Sequence, residues 1–334
     1  MRVDLPSRAG VALALALLAC PAALPPAEPV EAPAPEPPAG EFSAERAWRH
    51  LGALERLGPR PAGSEGAARA RAYLADALRG QGLEVVELHS PASPGAPDAT
   101  PETVGLLATL GWSSRDLILL FARYDSPGSP GGASADVASG AALVLELGRA
   151  LRARGSAYTV LLAFVEGDAP ARGAGAPESV GTGALVAALA AGDDLARVRL
   201  AVGFDRLEAP DLRIARDLHS SRTLREEFWA AARHLGHTGI FEPGAPFETV
   251  DAGHRAFADA GMRRFVAIVG SRPAPDEAEP RAGADDAERA SRANLAAVGA
   301  VSLDAIESIS RRLAKIDRFV RSPIASEPEV ADAP

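Results

Sequence analysis

Residues 158–167, YTVLLAFVEG, carry six consecutive apolar residues from Val160 to Val165. A strand that is apolar at every position cannot leave either face in water, so this segment demands cover on both sides. The strand-like runs at 104–110 and 116–122, RVRLAVGFD at 197–205 and RRFVAIVG at 263–270 are also apolar on both faces over most of their length. Between these runs apolar residues recur every three or four positions. Leu143, Leu147 and Leu151 mark one face of a helix at 139–153, GALVAALA a second, LREEFWAAARHLG a third, and 291–320 a long closing helix. Strands alternating with helices predict an α/β fold of three layers, with a mostly parallel central sheet and helices on both faces. A chain of 334 residues, 47% of them hydrophobic, can bury such a core.

Two further helices precede the first strand run at 83–88. Ser43 is placed to cap a pattern of Ala47, Leu51 and Leu54, and Ser64 to cap one through Tyr73, Leu74 and Leu78 that ends at Gly80 and Gly82. LGPRPAGS breaks the chain between them. Before all this, Arg2 and Arg8 lead into an apolar run, Val11 to Ala19, that closes Leu17-Leu18-Ala19-Cys20. The run is too short to span a bilayer and has the build of an export signal. Cys20 after Leu-Leu-Ala resembles the bacterial lipoprotein box, in which the cysteine is acylated and becomes the mature N-terminus. The alternative is an ordinary signal cleaved near Ala22-Ala23. Cys20 is the only cysteine, so no internal disulfide can form.

The expected organisation is therefore a signal peptide with lipobox at 1–20, a Pro/Ala-rich tether at 21–40, a folded domain at 41–321 and a disordered tail at 322–334. The location implied is the bacterial cell envelope, on the periplasmic side or at the outer membrane. A net charge of −9 argues against nucleic acid and anionic membrane as partners, so a membrane is reached only through the lipid.

In parallel sheets ligands sit at the carboxyl ends of the strands, and Asp125, Asp136, Asp168 and Asp205 fall at or just beyond such ends. Four aspartates so placed favour a site over chance scatter. Ser126 and Ser139 lie near it, yet no histidine is placed in sequence to activate them. His234 and His237 are three apart on the expected helix, a spacing that suits a metal but more often marks a solvated face. No phosphate-binding or dinucleotide fingerprint is present.

Taken together, GPRPAGS at 58–64, YDS at 124–126, DVASGAALVLELGRAL, FVEGDA, GHRAFADAGM and ASRANLAAVGAVSLDAI resemble, in unbroken order over 43–320, the M28-type zinc exopeptidases. The branch with bacterial glutaminyl cyclases is the nearest in pattern. The resemblance implies a zinc-exopeptidase-like fold and a set of metal-ligand positions. The family's first histidine becomes Arg123, and its bridging aspartate is kept as Asp136. The general-base glutamate becomes Asp168 and the ligand glutamate beside it Ala169. The strand-end aspartate is kept as Asp205, and the last histidine becomes Arg281. A one-residue slide of FVEGDAP would make Asp168 the ligand and leave the base unassigned. His254 matches a histidine near the family's pocket that is not a ligand, but Gly253 replaces the aspartate before it.

Three of the five ligand positions are thereby changed. A guanidinium has no lone pair to give and an alanine methyl cannot ligate, whereas catalytic zinc needs about three protein donors. The expectation is a pseudoenzyme with no cofactor, Asp168 being a vestigial general base and Asp136 and Asp205 vestigial ligands. Arg123, Arg281 and His254 are the expected binding residues, the two arginines pairing with the two retained aspartates in the metal's place. Peptide or protein N-termini are the partner class. The alternative is an active zinc-dependent aminopeptidase or glutaminyl-peptide cyclotransferase with a non-standard metal site. A third reading leaves the pocket idle and gives the biology to the surface or tether.

Overall fold

The computed structural model describes residues 37–90, 102–111, 113–126, 135–168, 180–250, 253–271 and 284–321, with backbone alone at 135–137, 284–285, 318 and 320–321. The expected signal segment with Cys20, the tether up to residue 36, Ala169, Arg281, the tail and the side chain of Asp136 lie outside the described residues.

The order of elements is α1 (Ala44–Glu55), α2 (Glu65–Gly80), β1 (Val85–Ser90), β2 (Thr103–Leu110), β3 (Leu117–Arg123), α3 (Ala135–Arg154), β4 (Thr159–Val165), α4 (Val180–Ala191), β5 (Val198–Asp205), β6 (Arg216–Asp217), α5 (Arg222–Leu235), β7 (Phe247–Glu248), α6 (Arg255–Asp259), β8 (Phe265–Val269) and α7 (Ala284–Arg321). Six strands form one sheet in the order β1-β2-β4-β3-β5-β8. The run β4-β3-β5-β8 is parallel and β1-β2-β4 antiparallel. The sheet is therefore mostly parallel, as the doubly apolar strands require.

Successive side chains of a strand face opposite sides, and β3 divides its residues accordingly. Ile118, Leu120 and Ala122 enter a large core shared with α1, α2, α3, α5 and α7. Leu117, Leu119 and Phe121 enter a smaller one shared with α4 and with Phe257 of α6. The sheet is thus the middle of three layers. Ser43 and Ser64 cap α1 and α2 by accepting the N–H groups of Arg46 and Ala67. Among the described residues no helix is long and apolar enough to cross a membrane.

Two local expectations shift. The first strand begins at Val85 and not at 83, because Leu83 completes the end of α2: its N–H donates to the Leu78 carbonyl at 3.1 Å while Gly82, at φ 73°, turns the chain. That is the usual glycine-terminated helix end, with the following apolar residue tucked back. Likewise α5 stops at Leu235 because Gly236 adopts φ 81°, so His237 lies past the helix and the His234/His237 spacing is not that of one helical face.

At the start of α3, a Cβ on Gly140 would collide with the carbonyl of Phe204. The small residue lets the helix rest its first turns directly on β5. Beside it, the Ser139 hydroxyl accepts the Leu207 N–H at 2.9 Å. Ala-Ser-Gly is therefore a docking device between α3 and the end of β5.

Candidate functional site

Strands β3 and β5 are parallel neighbours, and the pairing of Ala122 with Phe204 brings Arg123 beside Asp205 at the carboxyl edge. Arg123 Nε donates to Asp205 Oδ1 at 3.0 Å, with the two side chains 12% and 9% exposed. The next residue, Arg206, holds φ at 54°, a left-handed conformation unusual for a side-chain-bearing residue. There its Nη1 comes within 3.5 Å of Asp205 Oδ2 and its Nε donates to the Gly270 carbonyl at 3.3 Å. One carboxylate thus stands between two guanidiniums. Burial works against the charge on Arg123, but the carboxylates of Asp205, Asp125 and Asp168 outweigh it and raise its pKa further. Its Nη1 is buried and has no hydrogen-bond partner among the described residues.

Past β4 the chain runs Glu166-Gly167-Asp168. Glu166 is fully buried and accepts the N–H groups of Gly63 and Val104, at 2.6 and 3.0 Å, and the Tyr124 hydroxyl at 2.7 Å. It bolts the loop before α2 to the sheet edge. Burial and the Glu166 charge both push the Tyr124 hydroxyl pKa upward. Asp168 is turned the other way. Its Oδ1 accepts the Thr182 N–H at 3.1 Å and its Oδ2 the Thr182 hydroxyl. Burial raises the Asp168 carboxyl pKa, against the opposing pull of these bonds and of Arg123. A Cβ on residue 253 would run into Asp168 Oδ2 and Thr182 Oγ1. Gly253 is therefore what this packing tolerates, and an aspartate there would displace Asp168.

His254, one residue on, is buried against Phe265, with ring centroids 5.6 Å apart. Its Nε2 stands 3.4 Å from Asp217 Oδ2 without the alignment of a hydrogen bond, and neither ring nitrogen has a hydrogen-bond partner among the described residues. Asp217 itself is well held. It accepts the Ser220 N–H and hydroxyl at 2.6 and 2.8 Å and the Val250 N–H at 3.3 Å. Burial alone would raise its carboxyl; the facing imidazole and these donors prevail and hold it at about 2.

These groups surround a cavity of about 360 Å³ at the carboxyl ends of β3, β4, β5 and β8. Arg123, Asp168, Asp205, Arg206 and His254 line it, so the structure gathers most of the sequence-derived site residues in one place. Among the strand-end aspartates whose side chains are described, Asp125 is the exception. It is fully buried, accepts the Gly167 N–H at 3.1 Å, and is not part of the cavity wall. Arg206, Thr182 and Asp217 were missed by sequence reasoning. Asp217 had a faint signal, in the Asp-x-x-Ser spacing that lets a carboxylate accept from the backbone three residues on.

The quoted motifs outside the cavity are structural. Arg60 of GPRPAGS is fully buried and donates to the carbonyls of Leu54, Gly58 and Tyr124 at 2.9, 2.7 and 3.1 Å. Its N–H donates to Ser126 Oγ while its carbonyl accepts the Ser126 N–H, both at 2.9 Å. Ser126 is thus a brace between two motifs.

The model of peptidase family M28 matches residues 106–306, well over half the chain and including every strand of the parallel part of the sheet. The chain belongs to peptidase family M28. Among solved structures, a glutaminyl cyclase of an Acidobacteriales bacterium superposes with a TM-score of 0.69 at 24% identity, covering 84% of this chain and 99% of that one. A leucine aminopeptidase precursor from Bacteroides thetaiotaomicron gives 0.66 at 16%, covering 81% and 98%. A Zn-dependent exopeptidase from Parabacteroides distasonis gives 0.65 at 17%, covering 81% and 99%. At these identities the likeness is one of fold. No curated protein matches the chain.

An M28 exopeptidase fold raises the question of zinc. At the centre of this M28 cavity Asp205 is already engaged by two guanidiniums and Asp168 by Thr182. Among the described residues no three of His, Cys, Asp and Glu are grouped to share an ion. The side chains of the described residues alone do not make up the donor set of a zinc ion.

Proposed function

We propose that this M28-family chain is an envelope lipoprotein that binds through its cavity and does not catalyse metal-dependent exopeptidase or cyclase chemistry. The supporting observation is the buried ion pair of Arg123 with Asp205. A metallopeptidase depends on a metal that polarises the carbonyl and lowers the pKa of a bound water. A guanidinium supplies neither a lone pair for the metal nor a site for that water. Asp168 is a poor substitute base, because Thr182 takes both its oxygens.

The purified full chain, assayed with aminoacyl anilides and with N-terminal glutaminyl peptides in the presence of added zinc, should give no turnover above buffer. Chelator-sensitive release of either product would restore the alternative, an active zinc-dependent aminopeptidase or glutaminyl-peptide cyclotransferase.

Anchoring rests on the sequence: Cys20 follows a short apolar run behind two arginines. A Cys20→Ala variant expressed in a bacterial host should lose its acyl label or accumulate as precursor. Unchanged processing and membrane association in that variant would mean that Cys20 carries no lipid.

A further inference from the structure

The last turns of α7 concentrate positive charge in a chain that is acidic overall. Residues 311–321 read RRLAKIDRFVR, with four arginines and one lysine against one aspartate, Asp317. That aspartate is spent inside the domain. The Tyr158 hydroxyl donates to its Oδ2 at 2.7 Å, and Arg199 donates from Nη1 to Oδ2 and from Nη2 to Oδ1 at 2.9 and 2.7 Å. Arg312 turns to Glu227 of α5, and Glu307, one turn before Arg311, is taken by Arg154 at 2.7 Å. Arg311 and Lys315 are exposed and form no ion pair among the described residues.

Beside these cations stand two apolar side chains that the fold leaves in water. Ile316 is 48% exposed and Phe319, one turn on, 83%. Single exposed apolar residues are common, but a pair one turn apart next to a cationic ridge gives the helix surface two characters. Leu313, a turn earlier, still packs against the main core. The bonds of Asp317 fix α7 to the base of the sheet, so Phe319 stands just past the last anchored residue.

A surface that fits this tip offers an apolar interior behind a layer of negative charge, as an anionic phospholipid bilayer does. The net charge of −9 opposes general adhesion to such a surface. Screening limits the reach of each charge to about 10 Å, so one end of a molecule can attract lipid while the rest does not. The tip lies at the amino ends of the parallel strands, where Tyr158 precedes β4 and Arg199 opens β5, on the edge opposite the cavity. Residues 39–41 enter the domain at that same end, where α3 stops. Arg149 donates to the carbonyls of Ala39 and Glu41 at 2.5 and 2.6 Å, and Arg154 to that of Gly40.

We infer that the last turns of α7 are a contact site for an anionic phospholipid surface. Ile316 and Phe319 enter the acyl boundary, and Arg311 and Lys315 meet the headgroup phosphates. The domain then rests on its base, with the cavity turned away from the lipid. From the envelope reading above this takes only that a bilayer is at hand.

The full chain carrying Cys20→Ala has no thiol, so Phe319→Cys adds a single one, which takes an apolar, environment-sensitive fluorophore. The probes are vesicles of phosphatidylglycerol or of phosphatidylcholine alone. On phosphatidylglycerol the emission should shift to the blue, and brominated acyl chains should quench it. Binding should fall at least about tenfold on phosphatidylcholine and at molar salt. The same fluorophore at Arg289→Cys, near the start of α7, should report no change. Arg311→Glu with Lys315→Glu should abolish the shift at position 319 while leaving the circular dichroism spectrum as it was. No binding, an unshifted label on vesicles that do hold the chain, or an equal response to both lipids would overturn the inference. So would a label already blue-shifted without vesicles, since the chain's own tail would then cover the tip. With the thiol at position 20 removed, the result is independent of acylation, which the processing of the Cys20→Ala variant tests separately.

Discussion

Arginine at position 123 reverses the electrostatic logic of the residues around it. In a metal site converging carboxylates are held by a cation from solution; here the cation is covalently part of β3 and Asp205 is its partner. Removing one member of a buried pair leaves the other unmatched, at a cost of about 3–5 kcal/mol, whereas replacing both by apolar residues is often close to neutral. Arg123→Ala should therefore lose stability on that scale in urea denaturation, and Arg123→Leu with Asp205→Leu should regain most of it. A loss below about 1 kcal/mol in the single variant would mean that the pair is not structural. That Arg123 pairs with a strand-end aspartate was expected from the resemblance, and the structure pairs it with Asp205. Arg206 was not expected, because its approach to Asp205 depends on a backbone angle of φ 54° that nothing in the residue types announces. Asp217 escaped for another reason: its partner His254 is 37 residues away in the chain and meets it only once β6 and α6 are folded.

Between elements, the first two helices are joined by a contact that titrates. His50 of α1 and Tyr73 of α2 share a hydrogen bond of 2.7 Å. Burial first, then the charges of Arg49 and Arg46, lower the His50 pKa from 6.5 to about 4. A group depressed in the folded state contributes stability above its unfolded pKa and loses it as the pH falls toward the folded value. The window is pH 6.5 down to 4, and between pH 7 and 5 the loss is about 2 kcal/mol. His50→Gln should remove that slope, so the stability difference between wild type and variant should shrink toward acid pH. Parallel pH profiles of the two proteins would refute it. The longer helices and strands of the main sheet were readable from apolar spacing, and the glycines predicted the end of α2 in kind, whereas the end of α5 before Gly236 and the short α6 were not anticipated. The two-residue strands β6 and β7 were not readable, since a pair of residues carries no period.

At the scale of the whole molecule, the sequence pattern led to the three-layer arrangement because strands apolar on both faces admit few others. The location of the cavity followed from strand ends alone. Its contents did not, because what a cavity binds depends on which donors remain unspent after folding, and that is visible only in three dimensions. The same M28 scaffold here joins an intact core, an intact set of motif braces around Arg60 and Ser126, and a centre in which Asp205 pairs with arginine. The most direct test of that last feature is metal stoichiometry. The full chain is incubated with excess zinc, dialysed against metal-free buffer, and analysed for zinc by elemental analysis. The prediction is far less than one equivalent retained per chain. One tightly held equivalent, released by chelator and lost in an Asp205→Asn variant, would contradict it.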